Sequence, residues 1–499
     1  MAIWFERMGN GHMEWTVRTR DELLTLFATQ PESTADAVIA LQSAYLALAQ
    51  RLPDLERQVH QTSQNSHQPP SKDNVFDPPA PKSLRPKSTR PTGGQLGHPG
   101  AQLEMRDTPD AVALHRPPHC QHCGTTFPEA VEPTAYDRRQ VFDLKIGVVV
   151  TEHRAMTVRC VACGKDTTAE FPEAVSAPVQ YGPGVYTFLS YGNVYQLLPA
   201  DRLCEMFEDL TGHAISQGTL FRTTERLSEQ LRDYEEAVKQ ELLAAPVVHF
   251  DESGVRVGKK LHWLHVASTG QATYYRIHSK RGAEAMDAMA ILPQYTGIAE
   301  HDGWASYGKY HLCKHGLCNQ HHERELQGII DHDHQPWAQD LINHLHTIKT
   351  ARETAIAAGR DALTEVQLTT FAARYREIVD TGLAENPRRT APDGVKVKGK
   401  VKQTKARNLL ERLDRYQSDT LRFMYDFRVP YTNNQAEQDV RMIKVHQKIS
   451  GDFRSVEGAD IFCRIRGYIS TLKKRGLSVW ENLRRAHEGK PFMPTSNTS

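Results

Sequence analysis

Cysteine is scarce, with eight among 499 residues. That density excludes a disulfide-stapled scaffold, so paired cysteines read better as metal ligands than as bridges. No apolar run approaches the ~18 residues that a membrane span requires, and charges interrupt the first residues (MAIWFERMGNGHMEW) where a signal peptide keeps its apolar core. A cytoplasmic protein with no membrane partner is expected. Net charge is lacking too: 61 Lys and Arg against 60 Asp and Glu leave +1, which excludes a uniformly basic chain. Charged residues at 24% and hydrophobic residues at 39% describe a folded chain rather than a disordered one. At roughly 100 to 200 residues per domain, three or four domains are expected.

Residues 1–60 read as a helical segment. Val38, Leu41, Tyr45, Leu48, Leu52, Leu55 and Val59 alternate spacings of three and four, the stripe of a short coiled coil. The stripe suits a helix packed on its own chain as well as a dimer seam, and Pro53 inside it should kink or break the helix. Residues 61–105 have few large apolar side chains and read as a Pro/Gly-rich disordered linker. From 61 to 100 five Lys or Arg face two Asp, a modest excess that fits a solvated tether.

Residues 106–175 hold two knuckles, Cys120-x-x-Cys123-Gly and Cys160-x-x-Cys163-Gly. Two such turns can supply a closed tetrahedral S₄ shell suited to structural Zn²⁺, a zinc ribbon. His119 and His122 are expected to stay on the surface. Within residues 176–243, Leu203, Phe207 and Leu210 mark one helix, Thr211-Gly212-His213 breaks it, and Ser216 can cap a second helix through Leu220 and Leu227. This is helix-turn-helix spacing, with Gln217, Arg222, Thr223 and Arg226 presented toward DNA.

After Pro246 the pattern turns to strands: VVHF ending at Asp251, then LHWLHVAST and ATYYRIHSK, then a helical AEAMDAMAILPQY, then IAEH ending at Asp302. Three strands, a helix and a strand is the order of an RNase H-like core, in which first and fourth strands are neighbours. Asp251 and Asp302 would then face each other and repel unless divalent cations lie between them. Glu437 is the best third carboxylate, in the first turn of a helix capped by Asn433 or Asn434, with Arg441 four residues on. Hard oxygen ligands select Mg²⁺ or Mn²⁺, and two such ions suit in-line displacement at phosphorus. Glu252 and Glu300 are expected to point to the opposite face. Cys318 and His321 are expected to pack rather than ligate, and Asp331-His332-Asp333-His334 to form a solvated loop.

Taken together, NSHQPPSKD, GGQLGHPG, the double Cys-x-x-Cys module, FDESGVRV, AEHDGWASY, CNQHHEREL and DFRVPYTNNQAEQDVRMIK resemble the bacterial DDE transposases of the insertion sequence sixty-six family, in the large transposase subunit. The resemblance covers nearly the whole chain. It implies Asp251, Asp302 and Glu437 as a catalytic, metal-holding triad, and an α-helical insertion from about Asp331 to Phe427. It also implies element-end and target DNA as partners, together with accessory proteins of the same element. The family often has Arg directly after the catalytic Glu, whereas Gln438 stands here.

Two stretches are cationic. Residues 387–407 carry eight Lys or Arg, including Lys396, Lys398, Lys400 and Lys402, against one Asp. Residues 438–475 carry nine, including Arg441 and Lys444, against four acids. Their placement around the carboxylates favours DNA tracking.

The expected fold class is multidomain α+β: an RNase H-like α/β core in two parts (244–330 and 429–475) split by an α-helical insertion (331–428). A zinc ribbon and a helix-turn-helix precede it, and a tail (476–499) follows. The expected function is cleavage and strand transfer at element ends by a homo-oligomer on nucleoid DNA. A non-catalytic DNA-binding regulator and a structure-selective nuclease are the other readings of the same residues.

Overall fold

The computed structural model describes residues 2–7, 13–18, 20–29, 31–66, 103–144, 146–390 and 400–494. They fall into two compact units, one of Pro81–Thr223 and one of Met1–Ala80 with Thr224–Ser499. No helix among the described residues is long and apolar enough to cross a membrane.

The chain opens with a hairpin of β1 (Ala2–Arg7) and β2 (Met13–Arg18), which the expected all-helical start did not include. Helices α1 (Arg20–Thr29) and α2 (Pro31–Val59) follow. Contrary to the expected kink, α2 runs unbroken through Pro53. The ring fixes φ near its helical value and removes one N–H, a loss a 29-residue helix absorbs. The seven stripe residues from Val38 to Val59 all lie on an exposed face.

In the Pro81–Thr223 unit, β3 (Thr157–Arg159) and β4 (Asp166–Thr168) form a short hairpin. Helices α3 (Pro183–Ser190) and α4 (Ala200–Thr211) come next, and the unit ends within α5 (Gln217–Gln230). Leu189, Leu203, Phe207, Ile215 and Leu220 make their core. Gly212 ends α4 in the left-handed region (φ 72°), and Ser216 Oγ accepts the Thr219 N–H at 3.1 Å, the expected cap. Leu210, expected on the buried stripe, is exposed.

The larger unit continues with α6 (Arg232–Ala244), β5 (Val247–Val257), β6 (Lys260–Ser268), β7 (Thr273–His278), α7 (Ala283–Met289), β8 (Ile298–His301) and β9 (Lys314–Leu317). These strands form one sheet in the order β7-β6-β5-β8-β9. The β7-β6-β5 part is antiparallel, while β5 with β8 and β8 with β9 are parallel. The sequence reading missed β9, whose four residues KHGL are too short and too mixed in polarity to show a period.

Helices α8 (Asn319–Asp333), α9 (Pro336–Ala357), α10 (Glu365–Glu385), α11 (Lys405–Arg415), α12 (Gln417–Thr420) and α13 (Arg422–Tyr425) follow β9. The chain then returns to the sheet with α14 (Asn434–Ile449) against β5 and β6 and α15 (Val456–Lys474) against β7, and ends with α16 (Val479–His487). The first residues of the expected linker, 61–66, form a turn on α8: Asn65 Nδ2 donates to Asp331 Oδ2 at 3.2 Å. Residues 67–102 lie outside the described residues.

Trp337, Leu341, Leu345, Tyr375, Val379 and Leu410 centre the packing of the α8–α13 region. Helix α10 crosses Trp337 at Gly382, where a Cβ would lie 2.9 Å from the indole and 2.7 Å from Leu410. With no slack at this crossing, Trp337→Ala is expected to leave a cavity that costs about 3–5 kcal/mol, read as a lower urea midpoint for the larger unit.

Candidate active site

The parallel pairing of β5 with β8 (Val247 with Ile298, Val248 with Ala299, His249 with Glu300) sets the register of the site. Two residues further along the two chains stand Asp251 and Asp302. Gly303, at φ +84°, turns the chain immediately afterwards, and Asp302 Oδ1 accepts the Trp304 N–H at 2.8 Å, which fixes the carboxylate at the strand end.

Helix α14 brings the third acid. Asn433, buried at its N-terminus, makes no capping bond with its side chain, contrary to expectation, because that side chain is used across the fold. Its Nδ2 donates to the Phe250 carbonyl at 2.8 Å and its Oδ1 lies 2.9 Å from His249 Nδ1. Its backbone N–H meets Cys318 Sγ at 3.2 Å. The helix start is thereby pinned to β5 one residue before Asp251, and Glu437 rides on its first turn.

The three carboxylates share one field. Burial holds Asp251 well above the usual carboxylate range, followed by the charges of Glu252 and Asp302, with Glu437 adding a smaller push. The Glu252 N–H donated to Asp251 Oδ1 at 2.8 Å opposes them. Glu437 is raised by burial, with the Arg324 and Arg441 cations pulling it back and Asp302 pushing it up. Such mutual repulsion in a buried setting is what a cation would relieve.

The expectation of an opposite face holds for Glu252 and needs correcting for Glu300. Glu252 leaves the Asp251 face yet stays electrostatically joined to the acids: burial and then the Asp302 charge push its carboxyl up to about 7, against Arg281. Arg281 pairs with it at 2.7 Å and Tyr307 Oη donates to it at 2.9 Å. The Arg281 guanidinium is also stacked 4.2 Å from the Trp304 ring and 4.9 Å from that of Trp263. Glu300 lies two residues before Asp302, so strand alternation puts it on the same face rather than the opposite one. It is fully buried over Gly316 of β9, and neither oxygen has a hydrogen-bond partner among the described residues. Burial alone holds it well above the usual carboxylate range.

Cys318 and His321, at the start of α8, converge on Glu437: Cys318 Sγ lies 4.0 Å and His321 Nδ1 3.8 Å from Oε1. Among the described residues this is the one group of three potential ligands whose atoms lie within 4.8 Å of one another. Packing was the sequence expectation, because a lone Cys-x-x-His shows no third ligand 116 residues downstream. Asp331-His332-Asp333 is the last turn of α8 rather than a loop, with His334 closing it at φ 51°.

The two cysteine knuckles are built alike. Gly124 N–H donates to the Cys120 carbonyl at 2.9 Å and Gly164 N–H to that of Cys160 at 2.8 Å, with both glycines in the left-handed region. Cys120 N–H and Cys160 N–H close each loop on Thr125 and Lys165, both at 2.8 Å. Hydrogen bonds from Thr125 hold the Cys123 thiol below its ordinary range, and backbone N–H groups of Cys163 and Ala162 do so for Cys160. Each knuckle therefore fits two thiolate ligands, although no three of the four sulfurs lie within 4.8 Å of one another. His119 and His122 are exposed.

Of the expected DNA-facing residues, Gln217, Arg222 and Arg226 are exposed on α5, whereas Thr223 is buried because its hydroxyl turns back to the Thr219 carbonyl at 2.8 Å. Lys444 Nζ bonds the Gly254 carbonyl at 2.5 Å and so braces α14 on β5. In the 387–407 stretch, Arg388 and Arg407 both pair with Glu411, at 2.6 and 2.7 Å. Lys396 and Lys398 lie outside the described residues, while Lys400 and Lys402 lie inside them.

Two outcomes follow from this geometry. Asn433→Ala would strand the Phe250 carbonyl and His249 Nδ1, costing about 2–4 kcal/mol by urea denaturation. Glu252 keeps in the folded chain a proton that the unfolded chain releases near 4.5, so stability relative to Glu252→Gln should fall as pH rises from about 4.5 to 7.

Comparison with protein families gives two matches. Residues 20–104 match a family of unknown function, DUF6444, and residues 178–461 match the transposase IS66 family. No curated protein gives a significant match. The second match spans more than half of the chain and includes Asp251, Asp302 and Glu437, so the chain belongs to the IS66 transposase family and its role is that of a transposase.

Proposed function

We propose that the chain is a DDE transposase that cuts DNA at the ends of its element and transfers the 3′-hydroxyls to target DNA. The observation that carries this reading is that Asp251 and Asp302 stand together just past the end of the β5–β8 pairing, with Glu437 of α14 in their field. The strand order β7-β6-β5-β8-β9 and the return of α14 onto β5 support an RNase H-like core split by the 331–428 helices.

Mg²⁺ or Mn²⁺ bound by these acids would supply activation of a water or 3′-hydroxyl and neutralisation of the leaving oxygen. The remaining work falls to the chain. Asp302 is oriented by the Trp304 N–H and Asp251 by the Glu252 N–H, while Asn433 sets the start of the helix that carries Glu437. Arg324 and Arg441 counter the push of burial on Glu437 and favour its charged, ligating form. Arg281, held between Glu252 and two tryptophans, supplies a fixed positive charge beside the acids.

In this reading residues 106–175 are a zinc ribbon held by Cys120, Cys123, Cys160 and Cys163. The α4–α5 pair is a helix-turn-helix that contacts DNA through Arg222 and Arg226. Lys396, Lys398, Lys400, Lys402, Arg441 and Lys444 serve the phosphate backbone, although the bond from Lys444 to Gly254 gives that residue a structural share. The protein acts in the cytoplasm on nucleoid DNA as a homo-oligomer, with accessory proteins of its element.

Asp251→Asn, Asp302→Asn and Glu437→Gln should each lower Mg²⁺-dependent cleavage of a duplex carrying the element ends by at least about a thousandfold, with end binding retained. Cleavage that survives all three changes overturns the assignment. Cys120→Ser or Cys163→Ser should remove about one zinc per chain by elemental analysis.

A further inference from the structure

We infer that Cys318, His321 and Glu437 form a second cation site, suited to a thiophilic ion such as Zn²⁺, which shares Glu437 with the acidic centre. Three donors of different softness (a thiol, an imidazole and a carboxylate) converge there from two helix starts that Asn433 holds together. In a tetrahedral zinc shell with bond lengths of about 2.0–2.3 Å, neighbouring ligand atoms stand roughly 3.3–3.6 Å apart. The present separations of 4.0 Å from Cys318 Sγ and 3.8 Å from His321 Nδ1 to Glu437 Oε1 need contraction of only a few tenths of an ångström.

The surroundings favour such a site. Cys318 caps α8 and His321 lies three residues on, with its N–H bonded to the Cys318 carbonyl at 3.1 Å, so both donors sit on the first turn of one rigid helix. The Asn433 N–H at 3.2 Å from Cys318 Sγ matches the outer bond that steadies a metal-bound thiolate. Cys318 is buried, while His321 and Glu437 keep 17% and 16% of their side chains exposed, which leaves an entry path and an open fourth position. Arg324 and Arg441 face Glu437 and oppose a second cation. Burial and the Glu437 charge hold the proton on the Cys318 thiol, so the ion must displace that proton to solvent as it binds, and the resulting thiolate together with the Glu437 carboxylate offsets the two arginines.

The consequence rests on the proposed role of Glu437: a thiophilic ion held through Oε1 withdraws that carboxylate from the hard cations of Asp251 and Asp302. Binding itself does not depend on that role, so it is tested without DNA. Co²⁺ is added to the full chain carrying Cys120→Ser, Cys123→Ser, Cys160→Ser and Cys163→Ser (the four-serine chain), and thiolate-to-cobalt absorption is followed in the near ultraviolet. One equivalent should saturate the band. The band should vanish on further change of His321→Ala or Cys318→Ser, and its affinity should fall at least tenfold with Glu437→Gln. No band in the four-serine chain, or a band unaffected by His321→Ala, overturns the site. Should the four-serine chain fail to fold, cobalt equivalents are counted on the otherwise unchanged chain and on His321→Ala alone. A loss of one equivalent supports the site, and equal counts overturn it. Neither result alters the outcome of the cleavage assay, so failure of this site and failure of the catalytic reading remain distinct.

Discussion

The bonds made by Asn433 hold the site together. One buried amide donates to the carbonyl of Phe250 and meets His249 on β5, while its backbone N–H reaches Cys318 before α8. Three segments far apart in sequence are joined at one residue. Asp251 follows directly on the first, Glu437 lies one turn along the helix that Asn433 begins, and Cys318 with His321 open the third. A buried amide that loses either partner costs far more than a surface bond returns, so the juxtaposition is enforced rather than merely permitted.

Around that clamp the fold accumulates negative charge it does not neutralise. Glu252 is answered by Arg281 and Tyr307, and Glu437 in part by Arg324 and Arg441, but Asp251 is held by burial and like charges with a single N–H in compensation. Structural ion pairs are arranged otherwise: Arg475 with Glu241 and Lys474 with Asp439 meet at 2.6 and 2.7 Å and need nothing further. In the proposed reading, the contrast makes the surroundings of Asp251 a place where cohesion has been given up for function. The formal charge of +1 conceals this zoning, and it also conceals that some cations expected to face DNA, Arg388 and Arg407 among them, are occupied within the fold.

Much of this was legible in the sequence. The strands that carry Asp251 and lead to Asp302 showed as short β-branched runs, although β5 runs on through Asp251 to Val257 where the Asp-Glu-Ser-Gly had read as its end. The α4–α5 turn showed through Gly212 and Ser216, because turn chemistry and periodicity are local signals. The β9 strand was not legible, since four residues of mixed polarity carry no period. Asn433 read as a helix cap, its commonest local use, because its true partners lie about 180 residues upstream. Thr223 read as exposed because helical spacing alone cannot reveal a hydroxyl turned back onto its own helix. The convergence of Cys318 and His321 on Glu437 was likewise invisible, as it depends on how α8 and α14 meet.

The most direct measurement is anomalous scattering from a crystal of the full chain equilibrated with Mn²⁺. The account predicts manganese within about 2.5 Å of carboxylate oxygens of Asp251 and Asp302, with Glu437 in the same shell, and loss of that density with Asp251→Asn. Manganese bound elsewhere with none at these acids, or density unchanged in Asp251→Asn, would contradict it.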